Sequence, residues 1–438
     1  MFTRFFIALS SSIIYNILSM IMSKSKNRYL FGILIALVYF LTDRALNECV
    51  LFSLVFGSAD MGYKVSGWAS FAVWIAFAVW AVCKRFRLDW KKTSPLFFIA
   101  GYFVCLLFST WLNGLGFYRL LTIILNTMSV LLLIVMACDE EGNAKLFISS
   151  VSWLYLVFTA LNAFSILFRG AWSLLRAEYA ECFIGNFDTS GFAVELGMFY
   201  ALLDAHFNAE NKCSKYKLWA FIVFFFLDVF AVFRTSGTTV IAAFLIALYL
   251  FIPFIKKWAE KADLLVFVGF SVLMFATLMW FYKPILNSAP ISWLLNNVFH
   301  KSLSLSGRTD IWPWMLTDFI YKKPIFGFGI NVNSFLIPTG RVDELGNQII
   351  QYHTNNQILQ TWYEGGIVAL LVILALFIFT ANFLKKNKDR EFAGIIKWML
   401  FVFMIAYNSD IIPTYGWTFI FEIMVMSVVM GHAKGKTV

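Results

Sequence analysis

Long apolar runs, each closed by a short polar or charged break, follow one another along most of this chain. Crossing a bilayer as a helix takes roughly 20 apolar residues, since a helix satisfies its own backbone donors and acceptors where water is absent. On this pattern, spans are expected near 65–82, 96–111, 120–136, 146–168 and 192–203. Further ones are expected near 218–233, 240–254, 264–282, 358–384, 395–407 and 417–430. The first apolar stretch, 5–22, reads as a retained span, because no small-residue cleavage site follows it before Lys24. The next stretch, 29–57, is interrupted by Asp43, Arg44 and Glu48 and holds one long span or two short ones. The expected fold class is all-α: a polytopic integral membrane protein of about 12 transmembrane helices, with one large extracytoplasmic loop carrying short helices.

That loop divides the chain into transmembrane helices with short connections over 1–282, a cap over 283–356, and C-terminal transmembrane helices over 357–438. The cap contains Pro284, Pro290, Pro313, Pro324 and Pro338, yet Trp293, Trp312, Trp314, Phe319 and Phe328 give it too much apolar surface to stay solvated. Within it, Ile311, Met315, Leu316 and Phe319 recur at helical spacing over 309–321, which predicts an amphipathic helix at the membrane interface.

Composition agrees, for 61% of residues are hydrophobic and 14% charged, a balance that a water-soluble globule of this size does not enclose. The net charge of +10 would suit nucleic acid if it formed one basic face. Instead Lys84-Arg85, Lys91-Lys92, Lys212 with Lys215 and Lys217, Lys256-Lys257 and Lys385-Lys386 fall on alternate loops, the signature of cytoplasmic connections. No nucleic-acid partner is expected. The same parity places 113–118, 169–191, 234–237 and 283–356 on the outer side. Six cysteines without a CxxC pair give no reason to expect disulfides or zinc. No tandem or inverted repeat is visible, which argues against a repeat-built transporter.

The chemistry then concentrates on the outer side. Arg234 precedes Thr235-Ser236-Gly237-Thr238 at a tight turn into an apolar helix, where unpaired N–H groups and a cation suit a phosphate; the plain alternative is a snorkelling arginine above a capped turn. Arg308, in Ser306-Gly307-Arg308-Thr309-Asp310, offers a planar fork of donors for phosphate, or a surface pair with Asp310. Polar residues from His353 through Asn356 to Glu364 crowd the start of a span, where a charge at mid-bilayer costs roughly 2.5 to 3.5 kcal/mol. If the helix already includes His353, Glu364 lies about three turns on and shares its face. A neutral imidazole at His353 can take a proton from a sugar hydroxyl; the bland reading makes it an interfacial histidine beside cap residues. Arg176, on another outer loop, is a further candidate cation, or a headgroup contact.

Taken together, Arg234, Ser306-Gly307-Arg308, Gly327-Phe328-Gly329 and His353 through Asn356 to Glu364-Gly365-Gly366 resemble, in order and spacing, the O-antigen ligase and O-unit (Wzy-type) polymerase superfamily. The resemblance is strongest from Arg234 to about Leu384. It implies a glycosyltransferase that uses an undecaprenyl-diphosphate-linked glycan as donor, with inversion and without metal or other cofactor, acting on the outer face of the bacterial cytoplasmic (inner) membrane. In that picture Arg234 and Arg308 hold the diphosphate, His353 serves the reacting centre, and Arg176, Asn356 and Glu364 bind substrate. Polymerisation of repeat units is the expected activity, ligation to lipid A-core the alternative, and transport of the lipid-linked oligosaccharide a further one. The partners implied are the lipid-linked donor, a glycan acceptor, the bilayer and, for a polymerase, a chain-length regulator.

Overall fold

The computed structural model describes residues 28–43, 59–84, 89–168, 182–184, 187–232, 237–281, 284–285, 287–297, 308–330, 337–342, 348–351, 354–409 and 416–434. Every apolar run read from the sequence inside these stretches is a helix. In chain order they are α1 (Arg28–Thr42), α2 (Ala59–Cys83), α3 (Trp90–Leu112), α4 (Tyr118–Ala137), α5 (Glu141–Leu167), α6 (Phe187–Phe207), α7 (Lys212–Val232) and α8 (Gly237–Phe251). They continue with α9 (Pro253–Lys261), α10 (Leu264–Trp280), the short α11 (Ala289–Asn297) and α12 (Arg308–Trp314), then α13 (Gln357–Lys386), α14 (Arg390–Ser409) and α15 (Thr418–Lys434).

Several ends are set by local chemistry. Asp89 and Asp263 cap α3 and α10, their carboxylates accepting from the N–H groups of Lys91 and Leu265. Pro253, fixed in φ and lacking an N–H, opens α9 where the chain turns 95° away from α8.

Among the described residues, six helices are long and apolar enough to cross a membrane, or seven if the bent pair α8 and α9 is one span. The six lie in α2, α3, α4, α5, α13 and α14, while α1, α10 and α15 contain shorter apolar helices. About twelve spans were expected; α6 and α7 carry Glu195, Asp204, Lys217 and Asp228 inside the bundle, which lowers their apolar character. Three of the four meet partners: Lys217 pairs with Asp204 at 2.8 Å, and Asn162 donates to Asp228 at 2.7 Å.

The core is built on α14 and α15, which are enclosed almost all round, with α3, α4, α10 and α13 packed against them. A buried polar network ties α1, α5 and α6 to α15: Tyr39 donates to Glu422 at 2.6 Å, Tyr200 donates to the same carboxylate, and Tyr155 donates to Asp43 at 2.7 Å. Phe71, Phe97, Val104, Phe244 and Leu273 point outward and stay exposed, as side chains do when lipid is the solvent. The molecule is an integral membrane protein.

The basic clusters collect at one end of the bundle. Lys84 at the end of α2 and Lys92 at the start of α3 both reach Asp139, at 2.7 and 3.7 Å, and Lys256 of α9 pairs with Glu391 of α14 at 2.5 Å. Residues 308–330 lie at the other end, where Asn113, just past α3, donates to the carbonyl of Gly327 at 3.2 Å.

The helix expected over 309–321 is present as α12, continued by a wider π turn (Met315–Phe319) and a 3₁₀ turn (Ile320–Lys322) after Pro313. Its apolar face is turned to protein. Ile311, Trp312, Met315, Leu316 and Ile320 pack with Phe275 and Met279 of α10 and with Leu359 and Tyr363 of α13. Two short strands, β1 (Ile337–Val342) and β2 (Gln348–Gln351), pair antiparallel in the same region, with Ile337 opposite Gln351.

Candidate functional site

The start of α13 carries the densest polar structure at this end of the bundle. Asn355 adopts a left-handed backbone (φ 52°), which asparagine tolerates better than most residues, and this turns the chain into the helix. Asn356 then caps it: its side-chain oxygen accepts from Leu359 N–H at 2.9 Å and its amide donates to the carbonyl of Asn408 at 2.8 Å. The hydroxyl of Thr354 donates to the carbonyl of Asn356 at 2.7 Å. Because α13 begins at Gln357, residue 353 is not part of it. The condition under which His353 and Glu364 would share one helical face is therefore not met, and the alternative reading of Thr354, Asn355 and Asn356 as cap residues holds.

Glu364 is nevertheless connected to the residue next to His353. The backbone N–H of Thr354 donates to Gln360 Oε1 at 3.2 Å, and Gln360 Nε2 donates to Glu364 Oε1 at 2.7 Å. Trp312 of α12 donates its indole N–H to the carbonyl of Thr354 at 2.7 Å. The helix that Arg308 opens is thus tied to the residue that follows His353.

Two turns into α13 the helix is interrupted, with Gly366 at φ 69° and ψ −171°. A break at membrane depth leaves backbone groups without partners unless other chain supplies them. Residues 324–329 do so. Phe328 N–H donates to Tyr363 O at 2.7 Å and Gly329 N–H to Glu364 O at 2.9 Å, while Ile367 N–H donates to Pro324 O at 2.9 Å and Val368 N–H to Ile325 O at 3.3 Å. Ser109 of α3 adds a hydroxyl bond to Glu364 O at 2.7 Å. Gly327-Phe328-Gly329 and Glu364-Gly365-Gly366, separate motifs in the sequence, are one interlocked structure.

Beside this junction lies a narrow cavity lined by Tyr102, Arg119, Gln357, Gln360, Glu364 and Trp417, among others. On the other side of α13 an apolar cleft runs between α10, α13 and α14. Phe275, Ile358, Trp362, Leu371 and Phe377 line it, so it follows α13 on both sides of the break at Gly366.

Of the residues singled out from the sequence, Asn356 and Glu364 are joined through Thr354 and Gln360, and Arg308 is the first residue of α12. Arg234, Arg176 and His353 lie outside the described residues. Arg119 was not among the candidates. It sits in the first turn of α4, just after an outer connection, and the parity that placed 113–118 outside was the available signal. Gln357, Gln360 and Trp417 were also passed over, because a polar residue one turn into a span does not reveal which neighbouring helix it meets.

Comparison with known families matches residues 223–374 to the model described as O-antigen ligase. The match runs from within α7 to within α13 and contains Arg234, Arg308, His353, Asn356 and Glu364, while Arg119 and Arg176 precede it. This bears out the resemblance read from those residues and is consistent with the O-antigen ligase and polymerase superfamily. No curated protein matches the chain.

Proposed function

We propose that this chain is a membrane glycosyltransferase that polymerises undecaprenyl-diphosphate-linked oligosaccharide repeat units on the outer face of the cytoplasmic membrane. The observation that carries the proposal is the O-antigen ligase match over 223–374, inside which Trp312 ties the helix opened by Arg308 to the residue after His353. The apolar cleft beside α13 supports a polyprenyl donor, since it is lined almost wholly by apolar side chains and begins at Ile358, next to the capped start of the helix. The collection of lysines at the opposite end supports an outward-facing site, because lysine-rich ends stay in the cytoplasm.

In this reading Arg234 and Arg308, with Arg176 assisting, hold the diphosphate and stabilise the negative charge that develops as it leaves. His353 accepts the proton of the acceptor hydroxyl, whose oxygen attacks the anomeric carbon from the face opposite the departing diphosphate. One glycosidic bond forms, the bond to the lipid diphosphate breaks, and the configuration inverts. Asn356 and Glu364 act on the substrate side, and the step uses protein side chains alone. The partners are a lipid-linked donor, a glycan acceptor and a chain-length regulator. Ligation to lipid A-core is the second reading, supported by the description of the matching family itself.

The test is transfer by the purified chain in lipid, with undecaprenyl-diphosphate-linked repeat units and with chelator present. A ladder of repeat multiples, lost in Arg234→Ala, Arg308→Ala and His353→Ala variants that still fold, is the expected result. Transfer only when lipid A-core is supplied establishes ligation instead, and no transfer to either acceptor rejects both readings.

A further inference from the structure

A further pocket lies at the lysine-rich end of the bundle, at the far end of α13 from the residues of the proposed transfer. It opens where the start of α3, the end of α13 and the end of α15 meet. It has about 460 Å³ of space, within the roughly 300–1,000 Å³ of ordinary small-ligand sites. Trp90 and Lys91 of α3, Phe379, Phe383 and Lys386 of α13, and His432 of α15 line it.

The acids at this end are already engaged. Asp139 meets Lys84 at 2.7 Å and Lys92 at 3.7 Å, Asp389 faces His206 at 2.8 Å, and Glu391 meets Lys256 at 2.5 Å. Asp89, beside Lys91, accepts from the backbone N–H of that residue as the cap of α3. Lys91 and Lys386 are exposed and have no carboxylate partner among the described residues. Two like charges brought to one pocket from two helices are relieved by an anion placed between them.

The remaining wall is apolar and aromatic. The His432 ring packs on Phe383 with centroids 5.0 Å apart, and Phe379 lies against Phe98 at 5.3 Å. Trp90, exposed at the first residue of α3, stacks with the exposed ring of Phe97 at 5.5 Å. A tryptophan at the end of a membrane helix sits at headgroup level, and Phe97, two turns deeper, faces hydrocarbon. The ligand that fits is therefore anionic at one end and apolar at the other. A free phosphate would meet the lysines and leave the rings unused.

We infer that this pocket holds the headgroup of an anionic glycerophospholipid in the leaflet at the lysine-rich end, with Lys91 and Lys386 on its phosphodiester and Trp90 and Phe379 against the start of an acyl chain. Basic pockets between membrane helices take such headgroups. The same two helices are joined at their other end, where Ser109 of α3 donates to Glu364 O of α13 at 2.7 Å, so a lipid seated here fastens the pair at its second end. The site is independent of the glycan-transfer reading.

The experiment titrates the full chain in detergent with phosphatidylglycerol or with phosphatidylcholine of the same acyl chains, and counts retained lipid by native mass spectrometry. The wild type is expected to retain phosphatidylglycerol in preference. Binding should weaken about fivefold in each of Lys91→Gln and Lys386→Gln and about twenty-five-fold in the double variant. Lys257→Gln, at an exposed lysine of α9 outside the pocket, is the control and should bind as the wild type does. Phosphatidylglycerol should also raise the melting temperature of the wild type and not of the double variant, while without added lipid the two melt together. Equal retention of the two lipids, undiminished binding by the folded double variant, or the same loss in Lys257→Gln overturns the site. Displacement of the lipid by an equal concentration of soluble glycerol phosphate assigns the lysines to a free phosphate ester and overturns it as well.

Discussion

The backbone N–H of Gly329 donates to the carbonyl of Glu364 at 2.9 Å, across the point where α13 is broken. This bond makes the loop before the hairpin part of the membrane helix, and it fixes where the Glu364 side chain leaves the backbone. Several consequences can be measured.

Gly366→Ala is expected to destabilise the protein by about 1–3 kcal/mol, because a side chain at φ 69° is strained and the added carbon abuts Ile325 O. Gly329→Ala acts similarly, its Cβ meeting Thr110 Cα at 2.6 Å. Gly101→Ala is the control, since its nearest neighbour lies at 3.7 Å and helix propensity favours alanine by roughly 0.5–1 kcal/mol. Thermal unfolding in detergent should lower the melting temperature for the first two and not for the third.

Trp312→Phe removes the indole donor and leaves the buried carbonyl of Thr354 without it. The cost to stability is about 1–3 kcal/mol. Transfer activity should fall by more than the loss of folded protein explains, with kcat rather than KM affected, because the displaced residue adjoins His353. Equal losses in activity and folded fraction would reduce Trp312 to packing.

Asn356 has two separable duties. Asn356→Ala loses the cap and is expected to cost about 0.5–2 kcal/mol. Asn356→Asp keeps an acceptor for Leu359 N–H but loses the donor to Asn408, so its melting temperature should fall between wild type and alanine. An aspartate variant as unstable as alanine would mean the bond to Asn408 dominates.

Lys217 and Asp204 are both buried and pair at 2.8 Å. Replacing either alone strands a charge and is expected to cost about 3–5 kcal/mol, whereas the double variant Lys217→Met with Asp204→Leu should recover much of it. Melting of all four proteins gives the coupling energy directly, and additive losses would contradict the pairing.

Sidedness is testable with thiols. Cys83 and Cys213 are exposed beside the lysine-rich connections, so a membrane-impermeant maleimide should label them only after permeabilisation. Gly116→Cys, in the connection between α3 and α4, should be labelled in intact cells. Peptide mass spectrometry reads each site, and the reverse pattern would turn the protein over in the membrane.

The positions of most apolar helices, the alternating basic connections and the polar crowding at the start of α13 were legible in the sequence, but the turn from α8 into α9 was not. Hydrophobicity and charge act residue by residue against lipid and water, so their pattern along the chain is enough. The cap at Thr354, Asn355 and Asn356 was one of the readings the sequence offered, its bonds to Leu359 N–H and within the cap being local, whereas the tertiary structure alone decided that Gly366 breaks the helix and that residues 324–329 fill the break. Each depends on backbone groups finding partners distant in sequence, which no local periodicity encodes. The same holds for Arg119 and Gln357: one opens α4, the other α13, and only packing of those helices with α3 and α15 brings both to one cavity.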